Sequence, residues 1–154
     1  MTVSRIVVGV DGSDNSQRAL AWAIDLASAL GAEIVAVHSV GLLTRDGHGD
    51  RVPASSHREE IAEQFERDWC APLDAHTGPN RRVLRDGEPV DVVLSVADDV
   101  EADMIVLGSR GVGGYPEQLL GSTSHQVAER SPRPVVIVPP VARAAAVTGE
   151  ESRS

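Results

Sequence analysis

Short apolar runs alternate with longer amphipathic segments along most of the chain. The runs are rich in β-branched residues, which is typical of strands buried on both faces of a parallel sheet. The longer segments have the spacing of helices with one buried face. The predicted strands are RIVVGV (5–10), EIVAVHSV (33–40), RRVLRD (81–86), MIVLG (104–108) and PVVIV (134–138).

The first predicted helix has clear signals at both ends. Ser13 is a natural N-cap, and the helix runs to Leu30, where Gly31 closes it. Residues at helical spacing form one apolar stripe, which we expect to be buried: Leu20, Ala23, Ile24, Ala27 and Leu30.

The second predicted helix begins near His57 and ends or kinks at Pro72. Ile61, Phe65 and Trp69 are spaced four residues apart along it. Two further helices are predicted over about 90–101 and 121–130, and the Gly-, Pro- and Ser-rich segment 41–56 is predicted to be a loop.

Strands that alternate with helices predict an open, doubly wound α/β fold with a parallel sheet and helices on both faces. We expect one domain over residues 1–140 and a flexible tail over 141–154. Ligands of such sheets bind beyond the carboxyl ends of the strands. The loops 9–13, 39–41 and 108–114 are therefore the candidate binding loops.

The segment GSRGVGGYPEQLLGST (108–123) is unusually rich in glycine. Gly108 and Gly111 can turn successive N–H groups inward as an anion-binding nest, and Gly121 and Ser122 begin a helix whose N-terminus also favours an anion. Two such features suit a polyphosphate, although glycines in a loop can also mean turns with positive φ. Arg110 is the one fixed cation of this segment.

The charge of the chain excludes several function classes. The net charge is −9, so nucleic acid and anionic membranes are disfavoured as partners. All 14 basic residues are arginine, which excludes a P-loop lysine and a Schiff-base lysine. The single cysteine, Cys70, cannot form an internal disulfide, and the N-terminal segment lacks a signal-peptide pattern. We therefore expect a cytoplasmic protein.

Other candidate sites have weaker support in the sequence. The spacing of Asp46, His48 and His57 matches no metal motif, and Ser109 lacks the G-x-S-x-G context of a hydrolase nucleophile. The turn GVDGSDNS after the first strand lacks the G-x-G-x-x-G of a dinucleotide-binding dehydrogenase. His38 is expected to be a half-buried, hydrogen-bonded side chain.

The spacing Gly108-x2-Gly111-x9-Gly121-Ser122, the opening IVVGVDGS and the closing SPRPVVIV resemble the universal stress protein family. The resemblance covers roughly residues 3–139. It implies a five-stranded sheet of order 3-2-1-4-5, a homodimer through the strand 134–138, and ATP binding, which in this family accompanies the glycine signature. Its implied function is an ATP-dependent regulator of the stress response.

The resemblance also assigns binding roles to individual residues. Gly9 and Asp11 match the end of the first strand near base and ribose, and Ser39 or Val40 matches the backbone contact to adenine. The ribose and phosphate positions are matched by Gly108, Ser109, Arg110, Gly111, Val112, Gly113, Gly114, Gly121, Ser122 and Thr123.

A catalytic role is not expected from these residues. We identify no pair that would activate a water, so any ATP hydrolysis should be slow. Mg²⁺ is expected to assist, because one arginine cannot neutralise a triphosphate and Asp11 could act through water. An interaction module without nucleotide and an adenine-nucleotide-using transferase stay open as alternatives, and the protein partner is unknown.

Overall fold

The computed structural model describes residues 2–41, 43–45, 48, 50–53, 57–110 and 120–140. In chain order the strands are β1 (Arg5–Gly9), β2 (Glu33–Val40), β3 (Leu43–Arg45), β4 (Arg51–Pro53), β5 (Asn80–Asp86), β6 (Met104–Gly108) and β7 (Val135–Val138). The α-helices are α1 (Asp14–Leu30), α2 (Arg58–Gln64), α3 (Pro89–Asp99) and α4 (Ser122–Arg130). A π-helical turn, Phe65–Trp69, and a 3₁₀ turn, Ala71–Ala75, follow α2.

Five strands form one parallel sheet in the order β5-β2-β1-β6-β7. Counted along the chain within this sheet, that order is 3-2-1-4-5, so the predicted fold class is confirmed. The chain winds from β1 outward to β2 and β5, and then returns to β6 on the other side of β1. The carboxyl ends of β1, β2 and β6 therefore lie side by side at the switch point.

The sheet separates two apolar cores. On one face, α1 and the segment after α2 cover alternate strand residues, with Leu20 and Phe65 almost fully buried. On the other face, α3 and α4 cover the intervening strand residues, with Val96 and Val127 fully buried. Successive side chains of β1 and β6 thus alternate between the two cores, as expected for a doubly covered parallel strand. Within the described ranges, no helix has the length and apolar character needed to cross a membrane.

Both predicted ends of α1 are confirmed. Ser13 Oγ accepts a hydrogen bond from Ser16 N at 3.1 Å, and Gly31 adopts the left-handed conformation with φ 69°. The predicted stripe is wrong at one position, because Leu30 is 49% exposed. Ala27, at the start of the last turn, is 1% exposed, so the helix leaves the core only at its final residues.

The segment 41–56 is not simply a loop, as the sequence predicted. Leu43–Arg45 and Arg51–Pro53 pair as a small antiparallel ribbon separate from the main sheet. Strands of three residues are too short to show a hydrophobic period, so their sequence signal is hidden by the glycines and prolines around them. Residues 141–154, predicted to be a tail, lie outside the described residues, and the domain boundary at 140 stays a prediction.

Two leucines of α1 test the position of the core. Leu20 is fully buried, so Leu20→Ala should lower the free energy of unfolding by about 2–5 kcal/mol. Leu30→Ala, the same change on the same helix, should lower it by less than about 1 kcal/mol. Urea denaturation of both variants beside the parent measures the difference. Equal losses would contradict the burial assigned to these two side chains.

Candidate functional site

The end of β1 is held by a compact set of hydrogen bonds at the start of α1. Asp11 Oδ1 accepts from Ser13 N at 3.0 Å and from Ser13 Oγ at 2.6 Å. Gly12, between them, has φ 82°, which an L side chain rarely adopts. The predicted site residue Asp11 is thereby fixed just beyond the strand, with one carboxylate oxygen engaged by the residue that caps the helix.

At the end of β2, the backbone groups of Ser39 and Val40, the two alternatives for the backbone contact to adenine, point in opposite directions. Val37 O accepts from Val10 N at 2.8 Å, so Val37 faces β1, whereas Val40 O accepts from Gly87 N at 3.0 Å on the β5 side. Backbone groups of successive strand residues point to opposite sides. The N–H and C=O of Ser39 therefore point toward β1, and the carbonyl of Val40 is turned away from it.

The end of β6 lies directly against the first turn of α1. A Cβ added to Gly108 would lie 2.8 Å from the backbone C and O of Asn15, a distance that real Cβ atoms essentially never show. Gly108 does not have a positive φ, so its requirement for glycine comes from this close approach. At Gly9 the added Cβ would come too close only to the end of the Leu107 side chain, 2.6 Å away, which can move, and it would be in ordinary contact with Val93 at 4.0 Å.

Ser109 joins β6 to both β7 and α4. Its N–H donates to Val138 O at 3.1 Å, and its carbonyl accepts from Gly121 N and, at 3.1 Å, from Ser124 Oγ. The Ser109 hydroxyl, by contrast, is unsatisfied. Ser109 is 2% exposed, and its Oγ has no hydrogen-bond partner among the described residues. The Nε of Arg110, the next residue, is also buried without a described partner. Buried polar atoms are normally satisfied, so two consecutive exceptions need an explanation.

The start of α4 combines a glycine N-cap with two hydroxyl residues. Gly121 occupies the N-cap position in an extended conformation, and no described side chain caps the helix. Ser122 is exposed, and its Oγ accepts from Gln126 Nε2 at 3.0 Å. Thr123 follows on the first turn and is half-buried. The N–H groups of this turn and the helix dipole favour an anion.

The structure thus brings most of the predicted site residues to one edge of the sheet. Asp11, Ser39, Gly108 and Ser109 come from adjacent strand ends, and the Gly121 N–H bonded to Ser109 places the start of α4 beside them. The predicted site residues Gly111, Val112, Gly113 and Gly114 lie outside the described residues.

The sequence did not predict that the rings of His38 and Trp69 contact each other near this edge. His38 Nδ1 lies 2.7 Å from Val10 O, and burial lowers the pKa of His38, which keeps the ring neutral at pH 7. The ring of Trp69 contacts His38 edge-on with centroids 4.9 Å apart. In the sequence, Trp69 is one of three apolar residues spaced four apart along the second predicted helix, and this spacing does not indicate a contact with the end of β1.

The remaining titratable candidates behave as ordinary structural residues. Cys70 is fully buried, and burial raises the pKa of its thiol to about 12. His125 Nε2 lies 3.1 Å from Glu129 Oε1 on the exposed side of α4. No group of three or more His, Cys, Asp or Glu side chains in the described ranges could hold a metal ion, and Asp46 lies outside those ranges.

Comparison with known sequences gives a consistent result over nearly the whole chain. The model of the universal stress protein family matches residues 2–139. Universal stress protein YxiE of Bacillus subtilis is 33% identical over 146 residues, covering 88% of this chain and 98% of the relative. A universal stress protein of Thermus aquaticus is 36% identical over 137 residues, covering 86% of this chain and 96% of the relative.

Solved structures agree with the fold. Hypothetical protein MJ0577 superposes with a TM-score of 0.76 at 18% identity, covering 93% of this chain and all of that one. A universal stress protein in complex with cAMP has a TM-score of 0.66 and 28% identity, covering 90% and 98% of the two chains. The universal stress protein of Archaeoglobus fulgidus in complex with dAMP has a TM-score of 0.64 and 25% identity, covering 89% and 98%. By its sequence and its fold, the chain belongs to the universal stress protein family.

Proposed function

We propose that this protein is a cytoplasmic regulator that binds ATP, with Mg²⁺, at the carboxyl ends of β1, β2 and β6. The base would lie near the backbone of Ser39, the ribose near Asp11, and the phosphates between Ser109 and the start of α4. The nucleotide would act by stabilising one conformation or partner surface over another.

The two unpartnered polar atoms at the end of β6 carry this proposal. The Ser109 hydroxyl and the Arg110 guanidinium each have a buried polar atom without a described partner, and the hydrogen bond from Gly121 N to Ser109 O brings the N-terminus of α4 to the same segment. All three suit the oxygens of a phosphate chain or a ribose. A ligand of this kind would satisfy two groups whose burial otherwise costs about 1–3 kcal/mol each.

The adenine part of the proposal is supported by the neighbours. Two universal stress proteins of the same fold, 28% and 25% identical to this chain, were solved in complex with cAMP and dAMP. Both molecules contain adenine and one phosphate. The triphosphate preference rests on the sequence of this chain's glycine segment, which predicts an anion-binding nest at Gly108 and Gly111, with nine residues between Gly111 and Gly121 at the start of α4.

The described residues at this edge favour binding over catalysis. Asp11 Oδ1 already accepts two hydrogen bonds from Ser13, the residue that caps α1. His38 Nδ1 is engaged by Val10 O within the sheet. Slow hydrolysis at most is therefore expected.

The first test of this proposal compares nucleotides. ATP with Mg²⁺ should bind at least about tenfold more tightly than AMP, because charge-assisted hydrogen bonds to the added phosphates contribute about 1.5–3 kcal/mol each. Isothermal titration calorimetry measures both affinities, and chelation of Mg²⁺ should weaken ATP binding. Equal affinities for ATP and AMP would contradict the phosphate site, and no binding of either would favour an interaction module without nucleotide.

Two buried serines give a matched pair of variants. Ser109→Ala removes an unpartnered hydroxyl, so it should leave the unfolding free energy unchanged or raise it, and lower ATP affinity about three- to tenfold. Ser124→Ala removes the hydrogen bonds of Oγ to Ser109 O and Gly121 O, so it should lower the unfolding free energy by about 1 kcal/mol. Chemical denaturation and calorimetry separate the two effects. ATP affinity at the parent level in Ser109→Ala would show that its hydroxyl does not face the ligand.

We also propose that the protein forms a homodimer through β7. This strand lies at the edge of the sheet, and its residues are apolar. The carbonyls of Pro134 and Val138 bond to β6, so the backbone groups of Val135 and Ile137 point to the open edge. An apolar edge strand is normally covered, and pairing with its copy about a twofold axis is the simplest cover.

Proline substitutions on the two sides of β7 test the dimer. Ile137→Pro removes an N–H from the open edge, so it should give a folded monomer. Val136→Pro removes an N–H that faces β6, so it should lower the thermal midpoint instead. Light scattering at roughly tens of micromolar protein measures the oligomeric state. A monomeric parent at that concentration would overturn the proposed dimer.

A further inference from the structure

Trp69 lies over the turn between β1 and α1. A Cβ added to Gly12 would be 2.6–2.8 Å from three indole atoms of Trp69, namely Cε2, Nε1 and Cζ2. The indole is thus packed directly on the Gly12 backbone, which has φ 82°. The main chain of Trp69 is held by the first turn of α1, since Gln17 Nε2 donates to Trp69 O at 3.0 Å.

The indole lies beside the part of the proposed site where the base of the nucleotide would bind. Gly12 directly follows Asp11, and His38, whose ring lies 4.9 Å from that of Trp69, directly precedes Ser39. Trp69 therefore spans the gap between the end of β1 and the end of β2, the two strands that would frame the base. No other tryptophan or tyrosine is described near these strand ends, since Trp22 lies on the exposed side of α1 and Tyr115 is outside the described residues.

The surroundings of Trp69 differ from those of a core aromatic. Phe65, four residues earlier, is 1% exposed, whereas Trp69 keeps part of its surface in solvent. Trp69 also ends a π-helical turn, a local widening of the helix that is frequent at functional sites. A large, rigid and partly exposed ring beside a ligand site suits contact with a planar base.

We propose that Trp69 contacts the purine ring of the bound nucleotide and makes the site selective for purine over pyrimidine bases. This inference rests on the proposed nucleotide site and adds a specificity-determining residue that the glycine segment does not contain. A purine presents a larger aromatic face to the indole than a pyrimidine does, so the contact favours ATP over CTP.

The two tryptophans of the chain allow a direct fluorescence test. Trp22 is 41% exposed on α1, about 12 Å along the helix axis from Asp14, so it serves as the distant control. In Trp22→Phe, where Trp69 is the only tryptophan, ATP and AMP should change the emission, and sodium tripolyphosphate should not. In Trp69→Phe, where only Trp22 emits, none of the three should change it. An unchanged Trp69 emission under saturating ATP would overturn the inference.

Affinities separate a base contact from a structural role. Trp69→Leu should bind ATP about tenfold more weakly, bind tripolyphosphate as the parent does, and lose most of the preference for ATP over CTP. Trp69→Phe, which keeps an aromatic face, should stay within about threefold of the parent. An equal loss for ATP and tripolyphosphate, or no loss, would overturn the role of Trp69 while leaving nucleotide binding intact. If Trp69→Leu does not fold, the fluorescence test of Trp22→Phe decides whether Trp69 contacts the base. A parent that binds no nucleotide would instead overturn the proposed function itself.

Discussion

The geometry of the whole site depends on how closely the first turn of α1 approaches the end of β6. At Gly108 there is no space for even one methyl group, because the backbone of Asn15 would lie 2.8 Å from it. This contact fixes the helix relative to the strand that carries Ser109 and Arg110. A side chain at position 108 would push the helix away, and the hydrogen bonds that α1 makes at the ends of β1 would move with it.

The first turn of α1 joins the two halves of the candidate site. On one side it touches Gly108, and on the other the side chain of Gln17 holds the main chain of Trp69. Between them, Ser13 caps the helix and donates to Asp11. A displacement at the glycine-rich side therefore has a short, continuous route to the aromatic side. Such a contact chain is the kind of element that a ligand could use to shift the balance between two conformations.

The sequence predicted the strand ends well because they depend on strong local signals, whereas the sheet order was implied by the resemblance to the universal stress protein family. Apolar β-branched runs mark the strands, and Ser13 and Gly31 mark the limits of α1. The glycine spacing predicted where an anion would lie, but the reason for Gly108 could not be read from it. A requirement for glycine that comes from a distant backbone, rather than from a turn, exists only after folding. The contact of Trp69 with Gly12 also exists only after folding, because the two residues are 57 positions apart in the chain. Likewise, the sequence does not reveal that the backbone groups of Ser39 and Val40 point in opposite directions.

The burial of Cys70 has a consequence for how such a protein can sense its surroundings. Peroxides and disulfides react with thiolates, and burial raises the pKa of this thiol to about 12, so the thiol stays protonated at pH 7. This is the one cysteine of the chain, and it lies beneath Phe65 and Leu73 in the core. In the folded state, oxidation of this thiol therefore requires the packing around Phe65 and Leu73 to open first.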